Sequence, residues 1–415
     1  MALPGRGRLA VGGAVAAVMI GLLAPGAAAA SGRADAGPGC RFLDVPVPAS
    51  VLERQIVDLP GLAVLAGGGE LPIHGRLCLP DGESPKTVML AQHGSTYNNT
   101  YWNSAFEPDV YNFSRAMTDA GYAVFAIDRL GYGGSPRLTP ELLTLEVHAE
   151  VTHELIGKLR AGEAGGESFD HVILVGHSYG TATAWRESAK YNDADAIIGT
   201  GWSNSVTPVP TARFLATYYP AQLDPMFAGR NLPPGYLTMR PGTRGGDYFY
   251  ASGGFDPEVV DYDENELRDT APDGEGTFAA RFGAIPLATA PGSRDDIEVP
   301  LSSQTKRITI PTFQVLGSKE LQFCGTDQNR CTSSQRLQRD EARFFTERAC
   351  LRSAVTPHSG HIHNFHRNAQ FTYASVRTFA DDVLGPDGGN KDSYREHCAS
   401  ISGADLDEGP PRFGP

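Results

Sequence analysis

HVILVGHSYGTATAWRESAKY, residues 171–191, decides how the rest of the chain is read. Val172, Ile173, Leu174 and Val175 are apolar at consecutive positions and mostly β-branched, as a strand buried on both faces of a parallel sheet requires. The segment from Thr181 to Lys190 can continue as a helix. Between them, Gly176-His177-Ser178-Tyr179-Gly180 forms a Gly-x-Ser-x-Gly turn. Its two glycines lack a Cβ, so the chain can turn sharply and the helix can pack close while the Ser178 hydroxyl stands above the sheet. The pentapeptide alone is weak evidence, and the strand before it and helix after it are what give it weight.

The same alternation extends in both directions. KTVMLAQHG predicts a strand ending in a glycine loop, FSRAMTDAG a helix ending at Gly121, and YAVFAIDRLGYGGS a second strand and glycine loop. LLTLEVHAEVTHELIGKLRAG predicts an amphipathic helix, and DAIIGTGWS a strand beyond the Ser178 unit. After residue 305, KRITIPTFQVLG and LRSAVTP predict strands, while SSQRLQRDEARFFTERAC and NAQFTYASVRTFADDVLG predict helices. Strands alternating with helices imply a parallel sheet, whose chemistry gathers at the carboxyl ends of the strands, where His93, Asp128, Ser178 and Ser203 fall. Upstream, RQIVDLPG and LPIHGRLCLP predict short antiparallel strands joined by the AGGGE turn. Between 205 and 305 proline, glycine and aromatic residues replace the alternation. This stretch is expected to be a cap whose Tyr218, Tyr219, Tyr248, Phe249 and Tyr250 either line an apolar pocket or form the cap's own core.

Residues 1–30 carry Arg6 and Arg8, then LAVGGAVAAVMIGLLAP and a small-residue stretch, the pattern of a secretory signal peptide rather than a membrane anchor. Export is therefore expected. The six cysteines of the chain all follow this segment and are expected to pair as disulfides. Local loop closure favours Cys324 with Cys331, Cys40 with Cys78, and Cys350 with Cys398, the last tying down a polar tail. The irregular spacing lacks a C-x-x-C pair and argues against a cysteine zinc site. A net charge of −13 without basic clusters argues against nucleic acid or an anionic membrane as partner.

A serine hydroxyl needs a base within hydrogen-bond reach and a carboxylate to orient that base. Glu320 follows the strand ITIPTFQVLG, and His361 follows the strand LRSAVTP behind a glycine, giving the order serine, acid, histidine. His358, His363 and His366 compete with His361, His358 foremost, and Asp327 competes with Glu320. The histidine cluster contains no cysteine or carboxylate, so no metal is assigned to it. Backbone amides of Ser95, after the His93-Gly94 turn, and Tyr179, after the serine, are placed to hold a developing oxyanion. The Cys324–Cys331 bridge is expected to stiffen the loop carrying Glu320.

In these features the chain resembles the α/β-hydrolase superfamily. The resemblance spans roughly 54–384 and rests on AQHGS, DRLGYGGS, VGHSYG, VLGSKE and SGH in that order. It implies a mostly parallel central sheet flanked by helices, with a cap inserted before the acid-bearing strand. It implies Ser178 as nucleophile, Glu320 as acid, His361 as base, Ser95 and Tyr179 as oxyanion donors, and Asp128 as a support for the turns. Many relatives carry aspartate where this chain has Glu320. The expected organisation is a signal peptide at 1–30, core at 40–204 and 306–385, a cap at 205–305, and a tail at 386–415 tied by a disulfide. The expected function is hydrolysis of a carboxylic ester of a small apolar molecule, a lactone or an acylated apolar natural product among the candidates, through an acyl-enzyme, with no cofactor, metal or membrane anchor. An amidase, peptidase or acyltransferase would use the same residues. A non-catalytic binding protein of the same fold is the alternative from another class.

Overall fold

The computed structural model describes residues 37, 39–52, 69–82, 85–246, 248–272, 297–298, 302–325, 329–392 and 394. The signal segment, the RQIVDLPG stretch, Asp327 and Cys398 lie outside the described residues.

Eight strands form one sheet: β1 (Cys40–Pro48), β2 (Glu70–Cys78), β3 (Thr87–Gln92), β4 (Ala123–Ile127), β5 (His171–His177), β6 (Ala196–Thr200), β7 (Thr312–Gly317) and β8 (Arg352–Thr356). Their spatial order is β1-β2-β4-β3-β5-β6-β7-β8, and β2 alone runs against the others. The principal helices are α1 (Phe113–Thr118), α2 (Leu145–Ala161), α3 (Tyr179–Lys190), α4 (Ser334–Ala342) and α5 (Ala369–Val383). The mostly parallel sheet flanked by helices is the architecture expected from the sequence.

The apolar runs of β3 and β5 are explained by two cores. Val88, Leu90, Val172 and Leu174 pack in one layer with Leu155 of α2 and Trp185 of α3. Their alternate neighbours Met89, Ala91, Ile173 and Val175 pack in the other with Phe113 of α1 and Val376 and Phe379 of α5. Helix ends follow local chemistry. The Thr144 hydroxyl accepts from Val147 N at the start of α2, and Gly162 at φ 74° closes its end.

The structure departs from the sequence reading in three places. The first strand is Cys40–Pro48, in register with β2 from Cys40 opposite Cys78 to Pro48 opposite Glu70. Pro46 and Pro48 disguise it, yet β1 is an edge strand, where a missing N–H costs little. Helix α4 ends at Ala342, and a short 3-10 turn at Glu347–Ala349 completes the stretch read as one helix. The chain after Gly385, read as irregular tail, begins by docking: Pro386 O accepts from Lys86 N and Thr87 N, and Lys391 pairs with Asp195.

Cys40 is bonded to Cys78 and Cys324 to Cys331. Cys350 is also disulfide-bonded. No helix among the described residues is long and apolar enough to cross a membrane.

Between β6 and β7 the chain leaves and returns as a two-stranded ribbon, Ser205–Val206 against Ile297–Glu298. Within it lie a helix at Pro208–Leu215 and a small antiparallel sheet of Tyr218–Pro220, Tyr236–Met239 and Ala271–Pro272.

The two glycines of the serine turn are fixed by contact. A Cβ on Gly176 would lie 2.4 Å from Thr181 N, and one on Gly180 would lie 2.2 Å from Gln92 O. Gly180→Ala is therefore expected to destabilise the protein by about 1–3 kcal/mol in urea unfolding. Gly157→Ala provides the contrast, because that Cβ would meet nothing within 4 Å on α2. It should stabilise by roughly 0.5–1 kcal/mol; equal effects at the two sites would refute the close-packing argument.

Candidate active site

Ser178 sits between β5 and α3 with φ 53° and ψ −120°. A side chain rarely adopts that conformation, and holding it costs on the order of 1–3 kcal/mol. The surroundings impose it: Ser178 N donates to Thr200 O on β6 at 2.8 Å, while Ser178 O accepts from Thr181 N and Ala182 N in the first turn of α3. The hydroxyl is thus carried at the N-terminus of a buried helix, where the peptide dipoles favour negative charge.

Glu320 and His361 meet. The His361 Nδ1 lies 2.9 Å from Glu320 Oε2, with the histidine 2 % and the glutamate 0 % exposed. Glu320 follows β7 through a turn in which Glu320 N donates to Gly317 O and Lys319 N to Ser359 O. A Cβ on Gly317 would lie 2.2 Å from Ser359 O, so the acid and histidine loops need glycine there to touch. Gly360 is closely packed as well. Its Cβ would meet Phe249 O at 2.8 Å, so the glycine admits the chain between β6 and β7 above the histidine loop.

The other histidines separate clearly. His358 is exposed and its N–H donates to Ser318 Oγ. His366 is held by Ala251 N, Gly360 N and Ile362 O. His363 is buried beside His177, with a ring separation of 6.2 Å. His361 packs against residues next to Ser178 in the chain and at the end of β6. Its ring is 4.9 Å from that of His177, and a Cβ on Gly201 would come within 3.2 Å of His361 Cε1. Among the described residues no hydrogen bond joins Ser178 Oγ to His361. Catalytic hydrogen bonds often tighten only once substrate is bound.

The His93-Gly94-Ser95 turn lies directly against the serine. A Cβ on Gly94 would come 3.0 Å from Ser178 Cβ. The turn is fixed from beneath. His93 Nε2 accepts from Arg129 N, and Arg129 Nε donates back to His93 O. Asp128 accepts from Asn99 N, Asn99 Nδ2 and Gly134 N, and so ties two loops together.

Among the buried charges that went unread in the sequence, two lie next to the candidate site's loops. Arg244 donates to Thr96 Oγ1 and to Asp263 Oδ1 and lies over the Tyr97 and Phe249 rings, clamping the Ser95 turn from above. Glu341 of α4 accepts from Ser203 Oγ and Asn204 and pairs with Arg330 beside the Cys324–Cys331 loop. Each occurs in a polar stretch, RPGTRGGD or QRDEAR, that reads as solvated surface. Phe249 and Phe323 lie 5.8 and 6.0 Å from the His361 ring, whereas Tyr250 and Tyr219 donate to Asp263 and Asp224 within the inserted segment.

Burial holds His93, His148, His177 and His363 well below the usual histidine value, and His366 down at about 4. An unfolded histidine titrates near 6.5, so between these values the unfolded chain binds the extra protons. Stability from these groups is complete above about pH 6.5 and falls as the pH drops. His366 alone should remove about 2 kcal/mol by pH 5. The urea midpoint is expected to decline steadily from pH 7 to 5; a flat profile would mean that these rings are not held neutral.

The model of the alpha/beta hydrolase family matches residues 88–372. Among curated proteins the chain is 34 % identical over 133 residues to "Epoxide hydrolase A" of Mycobacterium tuberculosis (strain ATCC 25618 / H37Rv), covering 32 % of this chain and 35 % of that one. It is 28 % identical over 113 residues to "Probable lysophospholipase BODYGUARD 3" of Arabidopsis thaliana, covering 27 % and 20 %. The matches thus span about a third and a fifth of those relatives. A monoacylglycerol lipase from Paleococcus ferrophilus aligns with a TM-score of 0.46 at 15 % identity, over 74 % of this chain and 96 % of that one. A structure described as "Lipase (Open form)" aligns at 0.48 and 17 %, over 83 % and 99 %.

Proposed function

The chain belongs to the alpha/beta hydrolase family, and from that premise we propose that it is an exported serine hydrolase that cleaves a carboxylic ester of a small, apolar molecule through an acyl-enzyme. The observation that carries this reading is the buried 2.9 Å contact of His361 with Glu320, beside a serine held at positive φ at a helix N-terminus. In the proposed reaction Ser178 Oγ attacks the ester carbonyl as His361 Nε2 takes its proton. Glu320 accepts from Nδ1–H, which fixes the tautomer and steadies the imidazolium. The backbone N–H groups of Ser95 and Tyr179 receive the oxyanion, a contribution worth on the order of 10²- to 10³-fold per donor. His361 returns the proton to the leaving alcohol, and water then repeats the sequence on the acyl-enzyme.

The similarity to an epoxide hydrolase does not favour that chemistry here, since an epoxide hydrolase of this fold needs a carboxylate nucleophile where the chain has Ser178. Phe249 and Phe323 around His361 support an apolar acyl or alcohol group. The disulfides support an oxidising destination after removal of the segment at 1–30. A core at 40–204 and 306–385 with a cap at 205–305 remains the organisation we propose, the ribbon at Ser205–Val206 and Ile297–Glu298 supporting its boundaries.

Nitrophenyl esters of increasing acyl length, assayed beside the matching anilides, test the reaction class. Ester hydrolysis with a chain-length optimum is expected; cleavage of the anilides alone would make the protein an amidase. Product analysis with an added alcohol distinguishes hydrolysis from acyl transfer.

A further inference from the structure

His153 on α2, Glu187 near the end of α3 and Asp193 in the loop that follows bring one ligand atom each to within 4.8 Å of one another. Glu187 is 0 % exposed. Its Oε2 accepts from Ser188 Oγ, but its Oε1 is buried without a hydrogen-bond partner, and so is Asp193 Oδ1. Asp193 Oδ2 lies 2.6 Å from His153 Nδ1. The nearby cations of the chain are engaged elsewhere: Lys190 pairs with Glu150 and Arg160 with Asp195.

Two carboxylates facing each other in a desolvated place are costly unless a proton or a cation lies between them. A histidine nitrogen beside two carboxylate oxygens is a donor set suited to zinc, whereas calcium favours oxygen alone. His153 and Asp193 have side chains 31 % and 27 % exposed, so an ion can enter from solvent and keep a water in its fourth position. The His153 ring is stacked on Tyr191 at 3.8 Å, which fixes its orientation.

We propose that His153, Glu187 and Asp193 bind one zinc-class divalent metal ion that staples α2 to the far end of α3. The site lies roughly 13 Å along the helix from Ser178, so its role is to hold the helix bearing the serine rather than to touch substrate. The inference stands independently of the reaction proposed for Ser178.

The test uses the untagged, disulfide-intact mature chain, stripped with EDTA and titrated with zinc chloride, read by native mass spectrometry and thermal unfolding. One zinc per chain and a raised melting temperature are expected. His153→Gln and Asp193→Asn should each weaken binding by at least about 10-fold, and Glu187→Gln should abolish it. The partly exposed His153 and Asp193 variants carry the test if Glu187→Gln does not fold. Absence of stoichiometric zinc in protein folded by circular dichroism would overturn the proposal, leaving a shared proton between the carboxyls. Undiminished zinc binding in all three variants would overturn it too, as would binding of calcium but not zinc.

Discussion

Ser178→Ala is expected to lower turnover of a nitrophenyl ester by about 10⁵- to 10⁶-fold while leaving the circular dichroism spectrum and urea midpoint close to those of the parent. The size of the effect follows from the proposed chemistry, because no acyl-enzyme can form without Oγ and the remaining donors only bind and polarise. The intact fold follows from the packing. The strained backbone at 178 is imposed by Thr200 O and by the first turn of α3, neither of which uses the hydroxyl. Measuring kcat/KM with active-site-free controls decides the matter; activity within tenfold of the parent would remove Ser178 from the chemistry.

Glu320→Gln should cost about 10⁴-fold in kcat. The amide keeps the volume and a hydrogen-bonding atom near His361 Nδ1, but it favours the wrong tautomer and cannot stabilise the imidazolium. Glu320 is 0 % exposed, so no solvent carboxylate can replace it. Glu320→Asp offers a graded comparison. Shortening the side chain retracts the carboxylate from a partner now 2.9 Å away, and activity should fall between parent and Gln unless the loop moves. A Gln variant with parental kcat would mean that the His361–Glu320 contact is structural.

How much of this was legible beforehand depended on the range of the interactions. The parallel strands announced themselves because burial on both faces demands apolar residues at every position, as Val172 to Val175 and Val88 to Ala91 show. The glycine positions of the serine turn were legible for the same local reason. By contrast, β1 hid behind Pro46 and Pro48, whose tolerance depends on lying at the sheet edge, a fact of topology rather than of local pattern. The candidate serine, acid and histidine could be ordered from strand ends, but choosing His361 over His358 on physical grounds needed the contact with Glu320. Arg244 and Glu341 were unreadable, because a charge becomes a buried clamp only when partners far along the chain close over it. The grouping of His153, Glu187 and Asp193 likewise exists only once α2 and α3 pack together.

Reaction of the folded, disulfide-intact protein with a fluorophosphonate probe, followed by intact mass and peptide mapping, addresses the activated serine most directly. The account predicts a single adduct per chain, located on Ser178 and lost in Glu320→Gln over the same interval. Absence of an adduct in folded protein, or an adduct on a different serine, would contradict it.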